Sequence, residues 1–320
     1  MNRDVKRIAI TGGTGFVGKR FIEHALSHNI EISALARKAS AFSSDAEARS
    51  SGQLTIVQGD LADGDALRRI ANSADVFIHC AGLTHALRAE EMERVNVDGS
   101  AAAARAAMAA GALFLQISSM AARCPELSTY SATKRAGEEA SRNECASDQW
   151  LALRPPAIFG PGDTATLPLF KMVKAGFAPE PATPTVARAS ILYVDDVVMA
   201  MLSAAKTAKP GLCYDIDDTS SDGYSWREIG ETLGEAFGKQ VRSFRTPRIV
   251  MEAQAILAEA AGRVRGKASF VNRGKVAEFF HPDWVARDNL LSAHTEWAAT
   301  IPLRDGFAKT LSWYQDQGLI

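Results

Sequence analysis

An apolar run, Ile8-Ala9-Ile10, breaks directly into Thr11-Gly12-Gly13-Thr14-Gly15-Phe16-Val17-Gly18, and no other stretch restricts the fold of this chain as strongly. A buried strand that opens into glycines spaced three apart and then enters a helix is a backbone built to wrap a pyrophosphate. Gly12 permits the tight turn, Gly15 lets the main chain approach the anion without a Cβ in the way, and Gly18 lets the helix sit close to the strand. The exposed amides of the first helical turn then face the phosphates. Residues 19–27 follow with Phe21, Ile22, Ala25 and Leu26 on one helical stripe, and residues 30–35 read as a second buried strand.

The alternation continues at the pace of a parallel sheet covered on both faces. Strands are predicted at 54–57, 75–79, 112–117 and 150–153, with helices at 65–71, 89–110 and 129–141 between them. The fold class is therefore α/β, a doubly wound parallel sheet with a smaller, mostly C-terminal lobe. Past Arg154, prolines cluster at 155, 156, 161, 168, 179, 181 and 184. Proline interrupts helices and central strands, which predicts loops there, laid over the strand ends. Farther on, Tyr224-Ser225-Trp226-Arg227-Glu228 opens an amphipathic helix with Ser225 as its cap and Ile229, Leu233 and Phe237 inward. Residues 248–265 form another, whose apolar face of Ile249, Val250, Ala253, Ile256, Leu257 and Ala260 is expected to pack on the body of the protein.

Charge excludes some partners. The chain carries 36 basic and 37 acidic residues, which leaves no electrostatic reason to bind nucleic acid or an acidic membrane surface, so a small-molecule substrate is expected. Cys80, Cys124, Cys145 and Cys213 have no short paired spacing, which argues against a metal site or a disulfide framework and for a reduced, cytoplasmic protein. Residues 1–7 lack a signal-peptide pattern, and Arg105 interrupts the longest apolar stretch, so no membrane span is expected.

A second constellation is Tyr130-Ser131-Ala132-Thr133-Lys134, preceded by Ser118-Ser119 at the end of the fifth predicted strand. The i, i+4 spacing puts the phenol and the ammonium on one helical face. A positive charge there favours the phenolate and helps the phenol trade a proton with a substrate oxygen. A serine hydroxyl can hold that same oxygen. Other polar residues have simpler readings: Asp60 as a helix cap, Asn96 bonding to backbone groups, Asp195 and Asp196 as structural residues at a helix start, and His79 as a packed, hydrogen-bonded histidine.

Taken with TGGTGFVG at 11–18, GDL at 59–61, HCAG at 79–82, VNVDG at 95–99, ISS at 117–119, LRPPAIFGPGD at 153–163 and LYVDDV at 192–197, this YSATK at 130–134 resembles the extended short-chain dehydrogenase/reductases, the NAD(P)-dependent epimerase/dehydratase family. The resemblance implies a Rossmann-type domain over 1–160, to which 186–216 return, with 161–185 and 217–320 as the substrate-binding lobe. It implies that Tyr130 is the general acid/base, that Lys134 tunes it and holds the nicotinamide ribose, and that Ser119, rather than Ser118, orients the reacting carbonyl or hydroxyl. Gly12, Thr14, Gly15, Phe16, Val17 and Gly18 belong by the same resemblance to the cofactor site. Asp60 and Leu61 approach the adenine, Ala81 and Gly82 line the cofactor, and Pro156 and Ile158 border the nicotinamide. A homodimer through the alanine-rich and Tyr/Lys helices is likewise implied.

The cofactor is read at the end of the second strand. An NAD site needs an acidic residue there for the ribose 2′-hydroxyl, whereas this chain has Ala36-Arg37-Lys38 and no acid before Asp45. The Arg37 guanidinium suits a 2′-phosphate, which predicts NADP(H) over NAD(H). Reaction class rests on the variable parts. The Arg154-Pro155-Pro156 turn looks more like the hydroxysteroid dehydrogenase and dihydroflavonol reductase branches than the sugar-nucleotide epimerases, and the Ser119 to Tyr130 interval is short for an epimerase. An apolar stripe of Leu167, Leu169, Phe170, Met172, Val173 and Phe177 favours an apolar substrate. NADPH-dependent carbonyl reduction or the reverse alcohol oxidation leads. A UDP-sugar epimerase or dehydratase is the alternative, and a non-catalytic cofactor-binding scaffold the third.

Overall fold

In the computed structural model, which describes residues 2–38, 40, 42 and 46–320, the opening strand is β1 (Arg7–Thr11) and the helix after the glycine turn is α1 (Phe16–Ser27). There follow β2 (Glu31–Ala36), α2 (Ala46–Ser50), β3 (Leu54–Gln58), α3 (Gly64–Ala71), β4 (Val76–His79), α4 (Ala89–Glu93), α5 (Gly99–Ala110), β5 (Leu113–Ile117), α6 (Thr129–Glu144) and β6 (Trp150–Arg154). The rest comprises β7 (Ala157–Phe159), α7 (Leu167–Lys174), β8 (Phe177–Pro181), β9 (Arg188–Ala189), β10 (Ile191–Tyr193), α8 (Val194–Thr207), β11 (Cys213–Asp215), β12 (Tyr224–Ser225), α9 (Trp226–Ala236), β13 (Arg242–Thr246), α10 (Arg248–Arg265), α11 (Arg273–Phe279), β14 (Asp283–Trp284) and α12 (Leu303–Asp316).

Seven strands form one parallel sheet in the order β11-β6-β5-β4-β1-β2-β3, so the Rossmann-type doubly wound architecture is present. Its central strands are mostly apolar because both faces are covered, with Gln116 in β5 a buried exception. Ile8 and Ile10 join a core with Phe21, Leu115 and Met201 on the α1 and α8 side, while Ala9 between them joins Leu67, Ala107 and Phe114 on the α3 and α5 side. Small residues let α5 lie close: Ala103, Ala104 and Ala107 are fully buried. A third core, with Phe159, Phe170, Phe307 and Tyr314, holds the lobe above the strand ends.

The helix predicted over 89–110 is present over those bounds and contains a π-helical turn, Arg94–Asp98, where the Asn96 side chain takes the Leu83 N–H and donates to the Leu83 carbonyl and to Thr133 Oγ1. Two other expectations need correction. The proline-rich stretch is not all loop. Pro168 is the second residue of α7, in the first turn where its missing N–H costs nothing, and Pro179 and Pro181 lie in β8, which has β13 as its neighbour in a two-stranded sheet. Finally, the apolar face of α10 points away from the body: Ile249 is 75% exposed, Leu257 71% and Ile256 52%.

Candidate active site

The glycine turn has the shape of an anion cradle. Gly12 has φ +74°, and a Cβ there would lie 2.5 Å from the backbone nitrogen of Ala81, so only glycine fits where β1 and the segment after β4 pass each other. A Cβ on Gly18 would overlap the Gly12 carbonyl oxygen; this glycine serves the close approach of α1 to the turn, not to the strand. Gly15, exposed beside exposed Thr14, has only the Gly12 oxygen near its open side, at 3.3 Å. No side chain caps α1 at Gly15, so its first amides stay available to an anion. This cradle fits the pyrophosphate of a dinucleotide. Phe16 and Val17, by contrast, turn into the lobe core.

The remaining cofactor candidates divide. Ala81 abuts Gly12, and Gly82 faces Asn96 and Lys134. Arg37 stands exposed at the end of β2, with no ion pair among the described residues. Asp45 lies outside them. Asp60 is exposed and accepts the Ala62 N–H at 2.9 Å in the turn before α3, but it is Asp63, not Asp60, that caps that helix, and Leu61 packs on Gly99. Pro156 is buried, half-buried Ile158 lies in β7, and the preceding Pro155 carbonyl accepts the Met120 N–H at 3.0 Å, tying this turn to the one after Ser119.

Lys134 is buried on α6 and its Nζ donates to the Ile117 carbonyl at 2.8 Å, which anchors it at the end of β5 next to the two serines. These serines separate clearly. Ser118 is buried and donates to Glu138 Oε1, whose carboxylate also receives Arg154 Nε at 2.8 Å and Nη2 at 2.6 Å. Ser119 is half-buried, caps the 3-10 turn Met120–Arg123 by accepting the Ala121 N–H at 3.1 Å, and keeps its own proton to donate. Tyr130 lines a cleft of about 500 Å³ between α6 and the segment from α10 to α11, and its hydroxyl has no hydrogen-bond partner among the described residues.

That cleft holds residues the sequence did not single out. Lys275 Nζ lies 4.3 Å from the Tyr130 ring centroid, a cation–π contact, and pairs with Glu278 at 2.6 Å. Glu278 also accepts from Ser128, the cap of α6, at 2.6 Å. The C-terminal lobe thus clamps the helix that carries Tyr130. No spacing rule could reveal this, because 145 positions separate Tyr130 from Lys275 in the chain. The stripe read as a hint of an apolar pocket lies elsewhere: Phe170 and Val173 are fully buried in the lobe core, and the cleft at Tyr130 is lined by Arg248, Glu259, Arg263 and Arg273.

Asp195 and Asp196 are structural, though neither caps α8. Asp195 binds Arg20 on α1, and Asp196 accepts from Thr300 and Ile301. His79 is buried, with Nδ1 2.8 Å from Thr11 Oγ1; burial, and then the Lys134 charge, push its pKa down to about 3. An unfolded histidine titrates near 6.5. Between those values the unfolded chain takes up a proton that the folded chain does not, so His79 contributes stability above about pH 6.5 that is lost as pH falls toward 3. In urea unfolding, His79→Gln should therefore show a shallower loss of stability between about pH 7 and about pH 5 than the parent chain. Equal slopes would exclude His79 as the source.

The four cysteines are unpaired, and burial raises the Cys80 and Cys213 thiols to about 11. No three potential metal ligands cluster among the described residues, and no helix there is long and apolar enough to cross a membrane. The chain is similar to ceramide reductase of Caulobacter vibrioides, 37% identical with 97% of this chain and 95% of that protein covered. Its likeness to the decarboxylating sterol-4-alpha-carboxylate 3-dehydrogenase of Saccharomyces cerevisiae is 25%, over 98% of this chain and 99% of the other. Among solved structures, UDP-glucuronic acid 4-epimerase from Bacillus cereus in complex with NAD superposes with a TM-score of 0.73 at 15% identity, covering 97% of this chain and 99% of that one, which is a likeness of fold. Residues 8–216, from β1 to the end of the sheet, match the NAD dependent epimerase/dehydratase family, and with the glycine cradle and the YSATK helix in place the chain belongs to that family of NAD(P)-dependent enzymes.

Proposed function

We propose that the chain is an NADPH-dependent reductase of a ketone carbonyl on an amphipathic lipid, with Ser119, Tyr130 and Lys134 as its reacting set. The observation that carries this reading is the meeting of Lys134 and the two serines at the end of β5, on the same side as a glycine turn shaped for a pyrophosphate. The bound reduced nicotinamide supplies the hydride. Ser119 donates to the substrate oxygen, and the Tyr130 hydroxyl, without a partner among the described residues, gives it the proton that completes the alcohol. One Nζ donor of Lys134 is spent on Ile117 and the others serve the ribose and the phenol. Ser118 is committed to Glu138 and takes no part.

The lipid follows from the similarity to ceramide reductase along nearly the whole chain. A charged cleft at Tyr130 suits the polar head that bears the carbonyl. Arg37 is assigned to the 2′-phosphate of NADPH, with NADH as the weaker alternative. Unpaired cysteines support a cytoplasmic location, and the outer faces of α5 and α6, which pack side by side, are the surface we assign to a homodimer.

The test is oxidation of NADPH by the purified chain with a detergent-dispersed, long-chain N-acyl amino ketone, followed at the reduced nicotinamide absorbance. NADPH should outperform NADH in kcat/KM, and Arg37→Ala should erase about a 10-fold to 100-fold preference, the worth of a charged hydrogen bond. Conversion of a UDP-sugar with no net redox change would overturn the assignment in favour of an epimerase.

A further inference from the structure

The outer face of α10 is unusual for a soluble enzyme. Ile249, Ala253, Ile256, Leu257, Ala260 and Val264 recur at helical spacing, and all six are exposed, Val264 to 89%. At 1.5 Å per residue they make a ridge about 22 Å long. Single exposed apolar side chains need no explanation, whereas a continuous ridge does. Only Ala255 and Gly262 of this helix are buried, so body packing does not account for its composition.

The charges around the ridge that lack an ion-pair partner among the described residues have one sign. Arg263, Arg265 and Lys267 are exposed at its C-terminal end with no carboxylate partner among the described residues. The two carboxylates of α10 are occupied: Glu252 pairs with Arg248 at 2.7 Å, and Glu259 with Arg273 at 3.2 Å. Beyond the helix, exposed Phe270 and Val271 extend the apolar surface, and Phe270 meets His85, which lines the Tyr130 cleft, edge-on at 5.8 Å. The inner side of α10 lines that same cleft through Arg248, Glu259 and Arg263. One helix is therefore apolar outside, basic at its end, and polar where it faces the site.

We infer that α10 is an interfacial helix that lies in the plane of an anionic lipid bilayer, with the ridge among the acyl chains and Arg265 and Lys267 on the headgroups. Lipid anions complement the unpaired cations, and each basic residue near such a surface contributes about 1 kcal/mol. A second copy on the ridge would bring like charges toward one another, which argues against self-association there. Under the reading of the site as a lipid ketone reductase, the cleft opens at the bilayer surface, so the polar head reaches Tyr130 while the chains stay in the membrane. No helix of the described residues crosses a membrane, and an amphipathic helix lying on one needs none.

Flotation of the full chain with phosphatidylcholine vesicles, with and without phosphatidylglycerol, tests this. The chain should float with the anionic vesicles, bind neutral ones at least about tenfold more weakly, and lose binding as salt rises. The double variant Ile256→Glu/Leu257→Glu should bind anionic vesicles at least about tenfold more weakly, through loss of apolar insertion, with an unchanged circular dichroism spectrum and NADPH affinity. Because both residues are already exposed, the fold does not depend on them; should the double variant fail to fold, Val264→Glu alone, the most exposed position, replaces it with the same expectation. Failure of the parent chain to float, undiminished binding by a folded variant, or a dimer of the parent that the variant dissolves would each overturn the proposal. Binding needs no turnover, so such a failure leaves the reductase reading standing, while NADPH oxidation tests that reading without vesicles.

Discussion

Tyr130→Phe should lower turnover by about 10²-fold to 10⁴-fold, the usual worth of a positioned general acid, while leaving NADPH affinity and stability close to those of the parent. The physical basis is that the hydroxyl is the one part of this side chain without a partner among the described residues, whereas the ring is held by the Lys275 ammonium at 4.3 Å. Phenylalanine keeps that ring and removes only the proton donor. Single-turnover oxidation of bound NADPH reads the loss, and cofactor titration by fluorescence reads the affinity. A variant that turns over within a few-fold of the parent would move the proton donor elsewhere, and the neighbouring Ser119 hydroxyl would be the next to examine.

Glu138→Gln should be among the most destabilising single changes in the sheet domain, by about 3–5 kcal/mol, the cost of leaving a buried charge without its counter-ion. Arg154 sits with 12% side-chain exposure and Glu138 with 4%, so solvent offers the guanidinium little substitute. The carboxylate also holds Ser118 and receives the Cys213 thiol, which raises the number of groups that must find new partners. Urea unfolding should show a lower midpoint with an unchanged slope. Replacing both members, as Glu138→Leu with Arg154→Met, should recover most of the loss because no charge is then stranded. A double variant as unstable as the single one would show that packing, not charge burial, holds this corner of the fold.

The residues proposed for the site stand out in the sequence because they are close in it. The cradle lies within eight residues, 11–18, and Tyr130 and Lys134 are one helical turn apart, so local spacing rules reach them. The choice between Ser118 and Ser119 was different in kind. Adjacent residues at a strand end point opposite ways, and here Ser118 meets Glu138 while Ser119 caps the next turn. Which one is engaged depends on Glu138 and Arg154, and no local pattern joins them to either serine.

The same distinction explains the misread stretches. Proline rules predict loops past Arg154, but Pro179 and Pro181 are admissible in β8 because among the described residues that strand has one neighbour, β13, more than sixty positions away. For α10 the periodicity of the apolar residues was correct and the direction of the face was not, since a helical wheel defines a stripe without saying what lies opposite it.

What the sequence determined by itself was therefore the doubly wound fold, the glycine turn before α1 and the placement of Tyr130 and Lys134 one turn apart on α6, all products of short-range periodicity and of glycine's freedom at one turn. The tertiary structure alone decided which serine keeps its proton, that Lys275 and Glu278 clamp the Tyr130 helix, and that α10 turns its apolar ridge outward. Those outcomes are contacts between segments distant in the chain, set by how whole elements bury their surface against one another, and no local pattern encodes them.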